Sequence, residues 1–252
     1  MTTETPQHTE ASELADWLAR FNAGVARNTV ADTWRWAWKD TTMRVLPFAA
    51  AAGAYAKLSK RGLAGVGVTG DGWRRETLLG LTVGVPLAGL AAAFRGWVAP
   101  GYRLPTAADQ AVQTFFYLAI NAPGEEMFWR GTVQDMAARG LRRVPRLEKV
   151  AGLLGWALTT AVFGAYHRLG KWSWRSIAGV TFAGAIFGAL YQWPLGGHRR
   201  RSILAATIAH GFATAGFLSW GDVYLYLRQR RRYLAEMRAA HEVTANQGGG
   251  DV

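Results

Sequence analysis

Residues 78–94 contain no charged side chain and are bounded by Arg74, Arg75 and Arg95. Further apolar stretches lie at 107–122 (apart from Asp109, Gln110 and Gln113), 150–166, 177–195 and 203–220 (apart from His210 and Thr214), with a shorter one at 45–56. A helix needs about twenty apolar residues to cross a bilayer, fewer when flanking charges snorkel. The stretch at 45–56 therefore spans only if its helix begins before Arg44. Five or six crossings result, separated by basic loops. The chain reads as an all-α, polytopic transmembrane helical bundle of about six spans, with polar amphipathic helices at both ends. Gly184 and Gly188 carry the GxxxG spacing that lets two helices approach closely.

Composition fits this reading once the ends are set aside. Mean hydropathy is zero, because a polar start and a polar tail dilute the apolar middle. A net charge of +12 calls for an anionic partner, nucleic acid or anionic lipid. Twelve tryptophans beside apolar runs favour the lipid bilayer, since Trp collects at membrane interfaces. Basic loops that alternate with apolar spans argue against nucleic acid. Cysteine is absent, which removes disulfides and thiolate metal sites and leaves the redox compartment unreadable. The first forty residues show no signal-peptide pattern.

Three regions follow. Residues 1–40 form a polar amphipathic N-terminal segment, with Leu14, Trp17, Leu18 and Phe21 at helical spacing. Trp34, Trp36 and Trp38, interleaved with Arg35 and Lys39, fit an interfacial anchor or an ordinary soluble helix equally well. Residues 41–221 form the transmembrane domain. Residues 222–252 form a basic tail carrying Arg228, Arg230, Arg231 and Arg232, a pattern that prefers the cytoplasmic, anionic leaflet. The expected location is the cell membrane, with the C-terminus cytoplasmic. An even number of spans places the N-terminus on the same side. The loop arginines (Arg142, Arg143 and Arg146 in one loop, Arg199 to Arg201 in another) do not choose an orientation by themselves.

One stretch stands apart, Asn121-Ala-Pro-Gly-Glu-Glu-Met-Phe-Trp-Arg-Gly131, which follows directly on an apolar run. Charge at membrane depth is costly and is usually retained for a task. In a helix starting at Pro123, Glu126 and Arg130 lie four apart and share a face. Glu125 is turned about 100° away and is left for another partner. Pro123 and Gly124 either kink the helix or mark a joint. Of the five histidines, His8 and His241 lie in the polar ends and His198 sits among loop arginines. His167 and His210 lie at or within apolar segments. Either one alone is more often an interfacial or core histidine. Beside a Glu-Glu pair they supply the bases and donors that water-mediated acyl chemistry needs. Phe163, four residues before His167, is placed to exclude solvent, and Thr214, four after His210, to donate a hydrogen bond.

These residues resemble the three motifs of the CAAX-prenyl-protease-like and bacteriocin-processing family of intramembrane glutamic endopeptidases. They are Glu125-Glu126-x-x-x-Arg130, Phe163-x-x-x-His167 and His210-x-x-x-Thr214, in the family's order and each on an apolar helix. The resemblance covers roughly residues 75–220. It implies a peptidase within a helical membrane bundle that acts on membrane-associated peptide or protein substrates. Glu125 with His167 would activate a water, His210 and Thr214 would stabilise the oxyanion, and Glu126 and Arg130 would hold the motif helix. The family usually has Asn or Asp where this chain has Thr214, a shorter donor that its own helix carbonyl can capture.

Two alternatives remain at this level. No cofactor is required, but Glu125, His167 and His210 are also a zinc-type set with an open fourth position. Against that, the chain has no HExxH; His241-Glu242 is followed three residues later by Ala245. Residues 67–71 read GVTGD, which fits a turn better than an aspartyl GxGD motif. The other alternative is a non-catalytic membrane scaffold or immunity protein of the same fold. The substrate and the oligomeric state do not follow from these residues.

Overall fold

A computed structural model describes residues 10–99, 101–193 and 201–248; His8, His198, Arg199 and Arg200 lie outside the described residues. The fold is all-α. Helix α1 covers Glu10–Ala23. Helix α2 (Val30–Asp40) continues through a wide π turn, Thr41–Val45, into α3 (Leu46–Leu58). Helix α4 is Trp73–Val98. The next helical run comprises α5 (Ala107–Phe116), a wide turn at Tyr117–Asn121, α6 (Ala122–Phe128), a second wide turn at Trp129–Gln134, and α7 (Asp135–Arg142). Helices α8 (Ala151–Tyr166) and α9 (Trp174–Gln192) follow. A last run joins α10 (Leu204–Ala215) through Gly216–Trp220 to α11 (Gly221–Gly248). The sequence boundaries at 40 and 221 therefore both fall inside continuous helical runs.

Local chemistry sets several starts. Thr29 caps α2 by accepting the Asp32 N–H at 3.1 Å, Thr106 caps α5 through Asp109, and Ser173 caps α9 through Ser176. The wide turns at Thr41–Val45 and Tyr117–Asn121 have a shared cause. Pro47 and Pro123 follow them as the second residues of α3 and α6. Proline has no N–H to give to the preceding turn, and its ring crowds the carbonyl there. A helix that starts before Arg44 is what the short apolar stretch at 45–56 required.

Among the described residues the chain passes six times between two ends of the bundle. At one end the loop after α3, the α7 terminus and residues 201–203 meet: Ile203 donates to the Gly67 carbonyl at 3.0 Å, and Arg61 pairs with Asp135. At the other end Leu104 donates to the Ala26 carbonyl, Arg95 pairs with Asp222 at 3.3 Å, and Trp172 stacks on Phe217. Here α1 packs on α11, with Phe21 stacked on Tyr233 and Tyr226 donating to Asn22 at 2.9 Å. His241 faces the edge of Trp17 and lies 3.7 Å from Glu13.

The burial pattern is the reverse of a water-soluble bundle. Large apolar side chains point outward, among them Leu78, Val85 and Leu90 of α4, Leu158 of α8 and Phe182 of α9. Polar and charged groups point inward, among them Glu125, Glu126, Arg130, Gln134 and Asp109. Exposed apolar surface on this scale calls for an apolar surrounding. Helices Trp73–Val98 and Glu148–Gly170 are long and apolar enough to cross a membrane. With no hydrophobic gain between helices in lipid, close packing holds them together. At Gly84 a Cβ would sit 2.9 Å from the Ala209 Cα, which locks α4 against α10.

Gly131 shows the same constraint in the motif helix, since a Cβ there would collide with the Val66 carbonyl oxygen. Backbone has little freedom to yield, so Gly131→Ala is expected to destabilise by about 1–3 kcal/mol through overpacking. Thermal unfolding of the detergent-solubilised variant measures it, and an unchanged midpoint would mean that the loop after α3 is not packed against this turn.

Candidate active site

The two wide turns that precede proline carry Arg44 and Asn121, and both side chains reach Glu125. Arg44 Nη1 lies 2.6 Å from Glu125 Oε1, and Asn121 Nδ2 donates to the same oxygen at 3.1 Å. Arg44 also grips Asp40 with two hydrogen bonds, at 2.8 and 2.7 Å. Glu125 is 2% exposed. A carboxylate so deeply buried needs a cation and donors to remain charged. Helical spacing pairs Arg130 with Glu126 and names no cation for Glu125. The structure supplies Arg44, and keeps Arg130 with Glu126.

Glu126 is fully buried. Its Oε2 lies 3.3 Å from Arg130 Nε, the four-residue pair that helical spacing predicts. Its Oε1 accepts from His210 Nδ1 at 2.7 Å. Arg130 donates to the Gly184 carbonyl at 2.9 Å and lies over the Phe163 ring, 4.5 Å from its centroid. Gly184 and Gly188 allow this approach. A Cβ at Gly184 would strike Phe163, and the Gly188 carbonyl accepts from Gln134 Nε2 at 3.1 Å. The GxxxG pair thus packs α9 against the motif helix, and Arg130 and Gln134 each donate one hydrogen bond to an α9 carbonyl.

His210 stands between the two glutamates. With Nδ1 committed to Glu126, Nε2 faces Glu125 Oε2 at 3.9 Å. Phe187 stacks on the imidazole, 4.7 Å away, and fixes its plane. His167 sits just past α8, where Nδ1 donates to the Phe163 carbonyl at 2.8 Å. That bond leaves Nε2 as the free acceptor in the neutral ring. Phe163 and Trp172 pack edge-on against His167 at 4.9 Å each. Among the described residues no direct hydrogen bond joins Glu125 to His167.

Thr214, one turn beyond His210, lines an apolar cavity of about 840 Å³ between α4, α9 and α10. Its walls include Leu90, Phe94, Trp97, Phe182 and Phe217, and His210 also borders it. Among the described residues no three His, Asp or Glu side chains converge in a way that could hold a metal ion. The zinc-type set of Glu125, His167 and His210 does not form such a group.

Glu126 joins Arg130 and His210, Phe163 packs against Arg130, His167 and His210, Glu125 approaches His210, and Thr214 lines the cavity that His210 borders. The partners that sequence reasoning missed are Arg44, Asp40 and Asn121. Asn121 stands four residues before Glu125, so helical spacing marks it. For Arg44 the only signal is a lone arginine beside a proline-containing apolar run.

In comparison with known families, residues 107–216 fit the model described as type II CAAX prenyl endopeptidase, Rce1-like. That segment runs from α5 to the end of α10, contains all seven motif residues and agrees with the CAAX-protease-like resemblance read from them. Arg44 lies outside it. Searches of curated proteins and of solved structures each returned no match.

Proposed function

We propose that this chain is a multi-pass intramembrane endopeptidase in which Glu125 is the general base for a water that attacks a peptide carbonyl. The single observation that carries this reading is the sorting of the two glutamates. Glu126 bonds His210 with one oxygen and faces the Arg130 guanidinium with the other, whereas Glu125 keeps one oxygen directed at His210 Nε2 across 3.9 Å. That gap suits one water oxygen hydrogen-bonded to both sides.

The chemistry follows from the atoms. Glu125 takes a proton from the water as its oxygen bonds to the carbonyl carbon, and negative charge moves to the carbonyl oxygen. His210 Nε2, aligned by Glu126 and Phe187, is the donor for that oxyanion, with the Thr214 hydroxyl beside it. His167 Nε2 helps to orient the water. The proton on Glu125 then passes to the leaving nitrogen as the C–N bond breaks. The apolar cavity beside Thr214 supports a substrate that is itself membrane-associated. The six passes between the two ends support a location in the cell membrane with both termini on one side, and the arginines of α11 support a cytoplasmic C-terminus.

The test compares membrane peptides in cells that carry wild-type protein with those that carry Glu125→Gln. Substrate is expected to accumulate and its cleaved forms to vanish in the variant. Identical peptide pools in the two would instead support the scaffold or immunity reading, which Thr214 favours by replacing the family's Asn. Thr214→Asn separates the readings further. With a longer amide donor beside His210, turnover is expected to rise, by up to about 10²-fold if the oxyanion donor is the limiting feature. Purified protein and a cleavable peptide measure it, and an unchanged rate removes Thr214 from the oxyanion site.

A further inference from the structure

The end of the bundle opposite α11 holds a second cluster of charge. Arg61, Arg139, Arg142 and Arg201 line a polar, concave basin of about 450 Å³ together with Asp135, Tyr191 and the backbone of Ala64 and Gly65. Asp135 is buried and is engaged many times over. Arg61 reaches it at 2.5 Å, Arg139 at 2.7 Å and Arg201 at 3.8 Å, and the Tyr55 hydroxyl donates at 3.0 Å.

An ion-pair staple between the end of α3, α7 and residue 201 explains Asp135 and the charge of one arginine. It does not explain the other three. Four guanidinium groups around one carboxylate leave three positive charges facing one basin. Guanidinium groups that are partly withdrawn from water hold their charge best against a planar or tetrahedral oxyanion, which they grip with two parallel N–H bonds. Arg61 and Arg201 are withdrawn in this way, with 32% and 23% of their side chains exposed. Tyr191 holds Arg201 from below, its ring 5.6 Å from the guanidinium carbon.

We propose that this basin binds the phosphate of an anionic phospholipid headgroup. Surroundings favour a lipid over a free phosphate. Leu63, next to Ala64, and Met136, next to Asp135, are more than half exposed, and Leu58 at the end of α3 is 82% exposed. Apolar side chains at the rim of a basic basin match a headgroup whose acyl chains lie along the bundle. This site is separate from the glutamate pair and does not depend on catalysis.

The test uses the full chain in neutral detergent, given phosphatidylglycerol, phosphatidylcholine or inorganic phosphate, with bound ligand read by mass spectrometry of the intact complex. Phosphatidylglycerol is expected to bind at least about tenfold more tightly than the zwitterionic lipid. Arg142→Gln with Arg201→Gln is expected to weaken phosphatidylglycerol roughly thirtyfold, and Arg142→Gln alone about fivefold. The single variant changes an exposed rim residue and so keeps the test valid if the double variant unfolds. Arg143→Gln, a neighbour outside the basin, is expected to change binding by less than about twofold. Equal retention of phosphatidylglycerol by wild type and Arg142→Gln, or equal losses in Arg142→Gln and Arg143→Gln, would overturn the site. Inorganic phosphate that binds alone and displaces the lipid at equal concentration would overturn the lipid as its ligand.

Discussion

Glu125→Gln is expected to abolish peptide hydrolysis while leaving the protein folded. Glutamine keeps the shape of the side chain and an oxygen that accepts from Arg44 and Asn121, which now reach Glu125 at 2.6 and 3.1 Å. Arg44 also retains both of its hydrogen bonds to Asp40. What glutamine lacks is the capacity to take a proton from water. Losing a positioned general base costs about 10²–10⁴ in rate. The measurement is kcat on a cleavable membrane peptide, with the thermal midpoint of the same preparation as the control for folding. Full activity in a folded Glu125→Gln protein would sink the proposed mechanism.

Arg130→Met is expected to act on stability rather than on a single chemical step. Arg130 is 1% exposed and its partner Glu126 is fully buried. Methionine fills much of the same volume but leaves Glu126 with only His210 at 2.7 Å as a polar partner. Breaking a buried ion pair from one side typically costs about 3–5 kcal/mol, because the remaining charge is stranded. The contact of the guanidinium with the Phe163 ring adds to the loss. The informative comparison is with the double variant Arg130→Met, Glu126→Gln. Removing both charges spares the stranding cost, so the double variant is expected to be more stable than Arg130→Met alone. A cycle of the two single variants and the double by denaturation would show this. Strict additivity would mean that the two residues are energetically independent despite their 3.3 Å separation.

The Glu126–Arg130 pair was legible in the sequence because it is local. Helical spacing brings residues four apart onto one face whatever the rest of the chain does. The same rule identified Phe163 with His167 and His210 with Thr214 as pairs; the structure keeps the second on α10 and places His167 just past the end of α8, where it still bonds the Phe163 carbonyl. The rule says nothing of how those pairs meet. Whether His210 would attach to Glu125 or Glu126 depends on the rotation of α10 against the motif helix. Glu126 took the close bond and Glu125 the longer approach. The cation beside Glu125 was the clearest gap, since Arg44 is far away in the chain and stands in a stretch too short to read confidently as a span. It reaches the site because a wide turn before Pro47 carries it inward and a matching turn before Pro123 carries Asn121 toward it. Departures of this kind from regular helix follow from proline only after the surrounding helix is known to be continuous.

The sequence by itself determined the helices, their apolar character, the local pairs and the family-like motif order, because each depends on composition and on a repeat of 3.6 residues. Tertiary structure alone decided the partners of Glu125. Its cation lies across a helix interface, and that choice rests on helix rotation, on wide turns and on glycines that set the distance of approach.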